Sequence, residues 1–138
     1  MPGELRWFGK VLSPELTDVK VIILSDLHYG HPYCSVKHFQ RTVDFIRDND
    51  SCFCFLNGDL LEAATRISKG DIYTQKLTPQ EQRDGVLALL IPVKEKILGM
   101  TTGNHEQRIY NETGVDLSAD MAKELGCPYR PEGMLFKL

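Results

Sequence analysis

The sequence predicts an α/β fold, a sheet of parallel strands joined by helical crossovers, and three observations carry that prediction. Three apolar runs, within VIILSDLH, CFCFLNGD and ILGMTTGNHE, each end in a polar tip. Between the first two runs Val36, Phe39, Val43 and Ile46 recur at three- and four-residue spacing, the mark of one buried helical face. The runs are also far enough apart for the crossover connection that parallel strands require. In open sheets of this kind ligands bind beyond the carboxyl ends of the strands, which is where all three polar tips fall.

Taken in order, residues 4–12 (ELRWFGKVL) predict an edge strand or hairpin ending at Ser13-Pro14, with Trp7 and Phe8 as core anchors. Residues 19–25 form the first strand of the sheet, and their near-continuous aliphatic run implies burial on both faces. Tyr29-Gly30-His31-Pro32 reads as a loop, in which His31 either reaches the polar tips or is a solvated loop histidine. The helix over residues 35–48 makes a right-handed crossover, with His38 off its apolar stripe and exposed. Asp48-Asn49-Asp50 closes it as a solvated turn.

Residues 51–57 form the second strand, and residues 63–77 a long polar loop beside the tips. Thr78-Pro79-Gln80-Glu81 starts a helix, with Thr78 as cap, Pro79 at the first position and Glu81 completing a capping box. Val86, Leu89 and Leu90 mark its buried side, and Pro92 ends or kinks it. After the third strand, Gln107, Arg108 and Tyr110 are read as loop. Asp116 caps a last helix that stops at Gly126, and residues 134–138 (MLFKL) begin a further strand.

The 138 residues suit one small domain. A net charge of -3 gives no general attraction to nucleic acid or anionic membrane. No apolar stretch approaches the roughly 20 residues that span a bilayer, and the first ten residues lack a signal-peptide core, so a cytoplasmic location is expected. Cys34, Cys52, Cys54 and Cys127 contain no C-x-x-C pair and are read as reduced thiols that pack like small hydrophobes.

The polar tips hold Asp26, His28, Asp59, Asn104 and His105, a mixture of hard oxygen donors and imidazoles that suits zinc, manganese or iron. Asp26 and His28 are two apart, and on an extended strand both would face one cation. Taken singly, Asp, Asn and Gly at strand ends are ordinary turn formers.

Together, Asp26-Leu27-His28, Gly58-Asp59 and Gly103-Asn104-His105-Glu106 resemble the D-x-H, GD and GNH[DE] motifs of the calcineurin-like metallophosphoesterase superfamily, in the manner of its small bacterial and phage members. The resemblance implies a metallophosphoesterase-like β-sandwich flanked by helices (αββα), of which this chain would hold the amino-terminal half. The second sheet would then be started but not completed, leaving Leu135 and Phe136 partly exposed. It also implies hydrolysis of phosphate mono- or diesters at two divalent metal ions, manganese, iron, zinc or nickel.

By the same resemblance Asp26 and His28 hold the first metal, Asp59 bridges the pair, and Asn104 holds the second through its side-chain carbonyl. His105 would protonate the leaving oxygen. Glu62, in the last position of Gly58-Asp59-Leu60-Leu61-Glu62 where relatives have GD-x-x-D, would orient that histidine. Many relatives continue with a phosphate-binding arginine, but Ala63 stands here, and Arg66 and Arg108 become the substrate-binding candidates. Glu106 either supports the site or opens a helix, where acidic residues are favoured.

The resemblance stops at the carboxyl end. The superfamily completes its metal pair with later histidines, including a G-H-x-H pair, and this chain has none after His105. The second metal site is therefore expected to be incomplete, through truncation of a longer enzyme or with ligands lent by a paired chain. The competing expectation is a truncated or degenerate relative that binds a metal or phosphate as a regulatory or interaction module. A flavodoxin-like nucleotide binder is disfavoured, because no strand end carries a glycine-rich phosphate cradle.

Overall fold

A computed structural model of the chain describes residues 5–64 and 77–138. In chain order these form β1 (Trp7–Gly9), β2 (Lys20–Leu24), α1 (Val36–Asp48), β3 (Cys52–Asn57), α2 (Pro79–Leu90), a 3-10 segment (Ile91–Lys96), β4 (Ile97–Thr101), α3 (Asn104–Thr113), α4 (Leu117–Leu125) and β5 (Leu135–Lys137). The described residues thus form a mixed α/β arrangement with four α-helices and two small sheets, both made of parallel strands.

The three apolar runs become β2, β3 and β4, adjacent in that order. α1 connects β2 to β3, and the chain through α2 connects β3 to β4. β3 is central, and Cys52, Cys54 and Leu56 alternate onto the face that packs with Phe39, Val43 and Ile46 of α1, Val86 and Leu90 of α2, and Met121 and Leu125 of α4. All four cysteines are unpaired, with Cys52 and Cys54 buried among these groups.

The other face of the sheet meets β5, where Phe136 packs edge-on against Phe55 at 5.2 Å between ring centroids. Gly99 of β4 also faces Met134 here, and a Cβ added to it would stand 2.6 Å from the Met134 sulfur. β5 in turn pairs with β1, Trp7 opposite Leu135 and Phe8 opposite Phe136.

Two burial expectations are corrected. β2 is not buried on both faces: it lies at the sheet edge, and Val21 and Ile23 stay exposed while Leu24 reaches the core. An edge strand has one neighbour, and its outer face gains burial only where another layer extends over it. Trp7 is not a core anchor either, being 72% exposed, because among the described residues β1 has β5 as its sole strand partner and its outer side meets no further layer. Phe8 is half-buried, as are Leu135 and Phe136.

The helix starts follow local chemistry. Thr78 Oγ1 accepts from the Glu81 amide at 3.2 Å while Glu81 Oε2 accepts from the Thr78 amide at 2.8 Å, the reciprocal capping box. α2 passes into the 3-10 segment that contains Pro92. Asp116 caps α4 through the Ala119 amide, and Gly126 ends it in the left-handed region at φ 70. His38 sits exposed on α1.

A further correction concerns residues 104–113. They form α3, not a loop, between Gly103 and Gly114. Its one buried residue is Glu106, so the apolar stripe that announces a helix is missing. Gly114 at φ 75 is the terminator that could have revealed it.

Candidate metal centre

Three loops build the centre, each at the carboxyl end of a strand. β2 ends at Leu24, so strand alternation is not what orients Asp26 and His28. Both lie beyond it in left-handed backbone, at φ 55 and φ 49, as do Asp59 at φ 52 and Ala63 at φ 44. Each such non-glycine conformation costs about 1–3 kcal/mol and persists where surrounding contacts over-determine it. The contacts are a zipper between the first two loops. The Asp26 amide donates to the Gly58 carbonyl at 3.2 Å, His28 to Asp59 at 3.1 Å and Tyr29 to Leu60 at 2.9 Å, and Glu62 donates back to Tyr29 at 3.0 Å.

The third loop locks onto the second. Gly58, at φ 79, passes so close to Gly103 that a Cβ would stand 2.6 Å from the Gly103 nitrogen. Beyond it α3 begins, and the His105 amide donates to Asp59 Oδ1 at 3.0 Å. Glu106 is 2% exposed, and its carboxylate accepts three backbone amides: Asp59 at 3.0 Å, Leu60 at 2.7 Å and Leu61 at 3.0 Å. Glu106 stands in the first turn of α3, as an acidic residue at a helix opening does, and its carboxylate also holds the Asp59 loop.

At the centre, His28, Asp59 and His105 each present a ligand atom, all within 4.8 Å of one another. The two imidazoles meet edge to face, with centroids 4.4 Å apart. His105 Nδ1 lies 2.6 Å from the Glu62 carbonyl oxygen, and a carbonyl only accepts, so Nδ1 carries the hydrogen. The Glu62 carboxylate stands between both rings, 3.3 Å from His28 Nδ1 and 3.9 Å from His105 Nδ1. It is the backbone of Glu62 that orients His105, while the longer side chain reaches on toward His28.

The remaining candidates are spread around this group. Asp26, 66% exposed, places Oδ1 3.7 Å from His28 Nε2. The Asn104 amide, with its nitrogen turned inward, donates to Asp59 Oδ2 at 2.8 Å and Oδ1 at 3.2 Å; turned about, it offers the carbonyl to a cation. Arg108 is half-buried, with a buried Nη1 that has no hydrogen-bond partner among the described residues. Arg66, like most of residues 63–77, lies outside the described residues.

A cleft of about 440 Å³ opens over the group, lined by Asp26, His28, Glu62 and His105, with His31, Tyr33 and Cys34 at its far side. His31 thus shares the cleft, its Nδ1 accepting from the Tyr33 amide at 3.1 Å. Burial pushes the Cys34 thiol up, which keeps it protonated at neutral pH. Among the described lining residues there is no lysine or arginine.

Two imidazoles and a carboxylate suit one divalent cation of the zinc, iron or manganese type. Among the described residues a second cation would have Asp59 and Asn104 alone, and the sequence has no histidine after His105. The donor set therefore fits one metal and falls short of two. No protein-family model matches the chain, and no curated protein matches it either.

Proposed function

We propose that this chain is a metal-dependent phosphoester hydrolase of the calcineurin-like metallophosphoesterase type, acting on phosphate mono- or diesters. The observation that carries the reading is the meeting of the three motif loops at one cleft, with ligand atoms of His28, Asp59 and His105 within 4.8 Å. The packing of β5 on the free face of the main sheet supports the corresponding fold, a helix-flanked sandwich whose second sheet is begun.

A divalent cation at this place supplies charge neutralisation at the phosphoryl oxygens and an activated water. The chain's own residues do the rest. Asp59 anchors the site through a loop pinned by Glu106, and His28 stands beside it with Glu62 behind its ring. His105, held at Nδ1 by the Glu62 carbonyl, can carry a proton on Nε2 and hand it to the leaving oxygen.

A second reading, a metal-binding regulatory or interaction module without turnover, is favoured by the incomplete donor set for a second cation. Incubating the full chain with manganese and bis-p-nitrophenyl phosphate separates the two. The hydrolase reading expects turnover that requires the cation, is lost in Asp59→Asn, and falls on the order of 100-fold or more in His105→Ala. Manganese bound without turnover would establish the module.

A further inference from the structure

We infer that His31 and Tyr33, on the far wall of the cleft, form the subsite for the organic group of the ester and select nucleoside phosphates over sugar and alkyl phosphates. The inference deepens the hydrolase reading, on which it rests for taking the cleft as the place where a phosphate ester binds.

The argument starts from the turns that carry the two side chains. The His31 amide donates to the His28 carbonyl at 2.9 Å and the Cys34 amide to the His31 carbonyl at 3.0 Å, so the wall follows directly from the loop that holds Asp26 and His28. Gly30, at φ 102, lies against Gln82 of α2, where an added Cβ would stand 2.5 Å from the Gln82 Nε2. Gln82 is fully buried, and its Oε1 accepts the Ala63 amide at 2.9 Å. One side chain of α2 thus braces both the far wall and the backbone just past Glu62. A wall built before the ligand arrives need not be ordered on binding, which favours affinity.

The chemistry of the wall is set by two rings. His31 Nδ1 accepts from the Tyr33 amide at 3.1 Å, so in the neutral ring the hydrogen stands on Nε2. Among the described residues nothing accepts that hydrogen, and His31 lines the cleft. The Tyr33 ring stands beside it, with centroids 5.6 Å apart and planes inclined at 43°. Tyr33 is 91% exposed, so the face of its ring is open to a ligand.

A flat face and a hydrogen-bond donor side by side match a nucleobase, which stacks through its π-face and accepts through the nitrogen and oxygen atoms of its rim. A plain aryl group offers the face without the acceptors. A glycerol or alkyl group offers no face to stack. With no lysine or arginine among the described lining residues, these neutral rings are what distinguishes one ester from another on this wall.

The test uses the full chain loaded with manganese, titrated by calorimetry with adenosine monophosphate, phenyl phosphate and glycerol phosphate, and phosphate release is followed for the same three esters. The unsubstituted chain should bind adenosine monophosphate on the order of 10-fold or more tighter than glycerol phosphate, with phenyl phosphate between them. Tyr33→Ala should erase most of that difference, and Tyr33→Phe, which keeps the ring, should preserve it. His31→Phe keeps a flat wall but removes the donor, and it should weaken adenosine monophosphate roughly 3- to 10-fold while leaving phenyl phosphate unchanged. Each variant should keep the manganese affinity of the parent, which reports that the metal loops are intact.

Equal binding of adenosine monophosphate and glycerol phosphate by the unsubstituted chain overturns the inference, as does a preference that survives Tyr33→Ala. Turnover of all three esters without preference would overturn it too, and would leave the hydrolase reading standing. Adenosine monophosphate bound with the expected preference but no turnover of any ester would sink the hydrolase reading and leave the subsite standing.

Discussion

Glu106 holds Asp59 from behind, its Oε2 accepting the Asp59 amide at 3.0 Å while Oε1 takes the next two amides of the same loop. One side chain at the start of α3 thereby fixes the backbone of the residue whose carboxylate groups with the two histidines. Removing it strands three amides, two of them at fully buried residues, and each unsatisfied buried donor costs about 1–3 kcal/mol. Glu106→Ala should therefore lose roughly 3–5 kcal/mol of stability, and Glu106→Gln about half of that, as read from urea midpoints. A loss below about 1 kcal/mol in Glu106→Ala would mean the loop holds itself.

Gly58 is the second test of how the loops close. Its φ of 79 disfavours any side chain, and an added Cβ would meet the Gly103 backbone at 2.6 Å. Gly58→Ala should lose about 2 kcal/mol or more, through strain and the forced separation of the two loops. Gly114→Ala, where an added Cβ meets nothing within 4 Å, carries only the conformational part and should cost less.

Lys96 closes the end of α1 from the far side of the sheet sequence. Its Nζ donates to the Ile46 carbonyl at 2.6 Å, one of the last-turn groups that a helix leaves without an internal partner, and to the carbonyl of the capping residue Asn49 at 2.7 Å, which also accepts from the Cys52 amide at 3.0 Å. Lys96→Met keeps most of the aliphatic length and removes the donor, and a loss of about 1–2 kcal/mol is expected in chemical denaturation.

The buried thiols make stability depend on alkaline pH. Burial pushes Cys54 up to about 12 and Cys127 up to about 11, from an ordinary 9.0. Above pH 9 the unfolded chain releases protons that the folded chain retains, so folded stability is full below about 9 and falls as pH rises toward 11 and 12. The slope is about 1.4 kcal/mol per pH unit for each fully linked thiol. Urea unfolding at pH 8 and pH 10.5 measures it, and Cys54→Ala should flatten the decline.

Cation binding should be visible as stability. A ligand that binds only the folded state at 100 times its dissociation constant adds about 2.7 kcal/mol, and a chelator removes it. The thermal midpoint should rise with zinc and return with chelator in the parent chain, and stay nearly fixed in Asp59→Ala.

Much of the fold was legible because local chemistry wrote it. The capping box at Thr78, Asp116 before α4 and the stripe of α1 depend on residues close in sequence; the two caps stand where the pattern put them, and Phe39, Val43 and Ile46 of the stripe are buried while Val36 in the first turn of α1 is exposed. The strands β2, β3 and β4 were equally plain. What failed were statements about surroundings: Trp7 and the outer face of β2 are apolar, yet hydrophobicity says only that a residue would gain from burial, not that a layer exists to bury it. α3 escaped because its one fully buried residue is a glutamate and only Ile109 of its apolar residues packs against the core.

The site divides in the same way. The sequence by itself determined that Asp26, His28, Asp59, Asn104 and His105 would follow strand ends, since apolar runs that end in polar tips place them there. Only the tertiary structure decided which of them converge. Left-handed backbone at Asp26, His28 and Asp59, the zipper between the first two loops, and the Glu106 carboxylate beneath the second are contacts between residues up to 47 apart. Spacing along a chain cannot encode such an arrangement, because it depends on which carbonyls and carboxylates the folded backbone leaves open to accept.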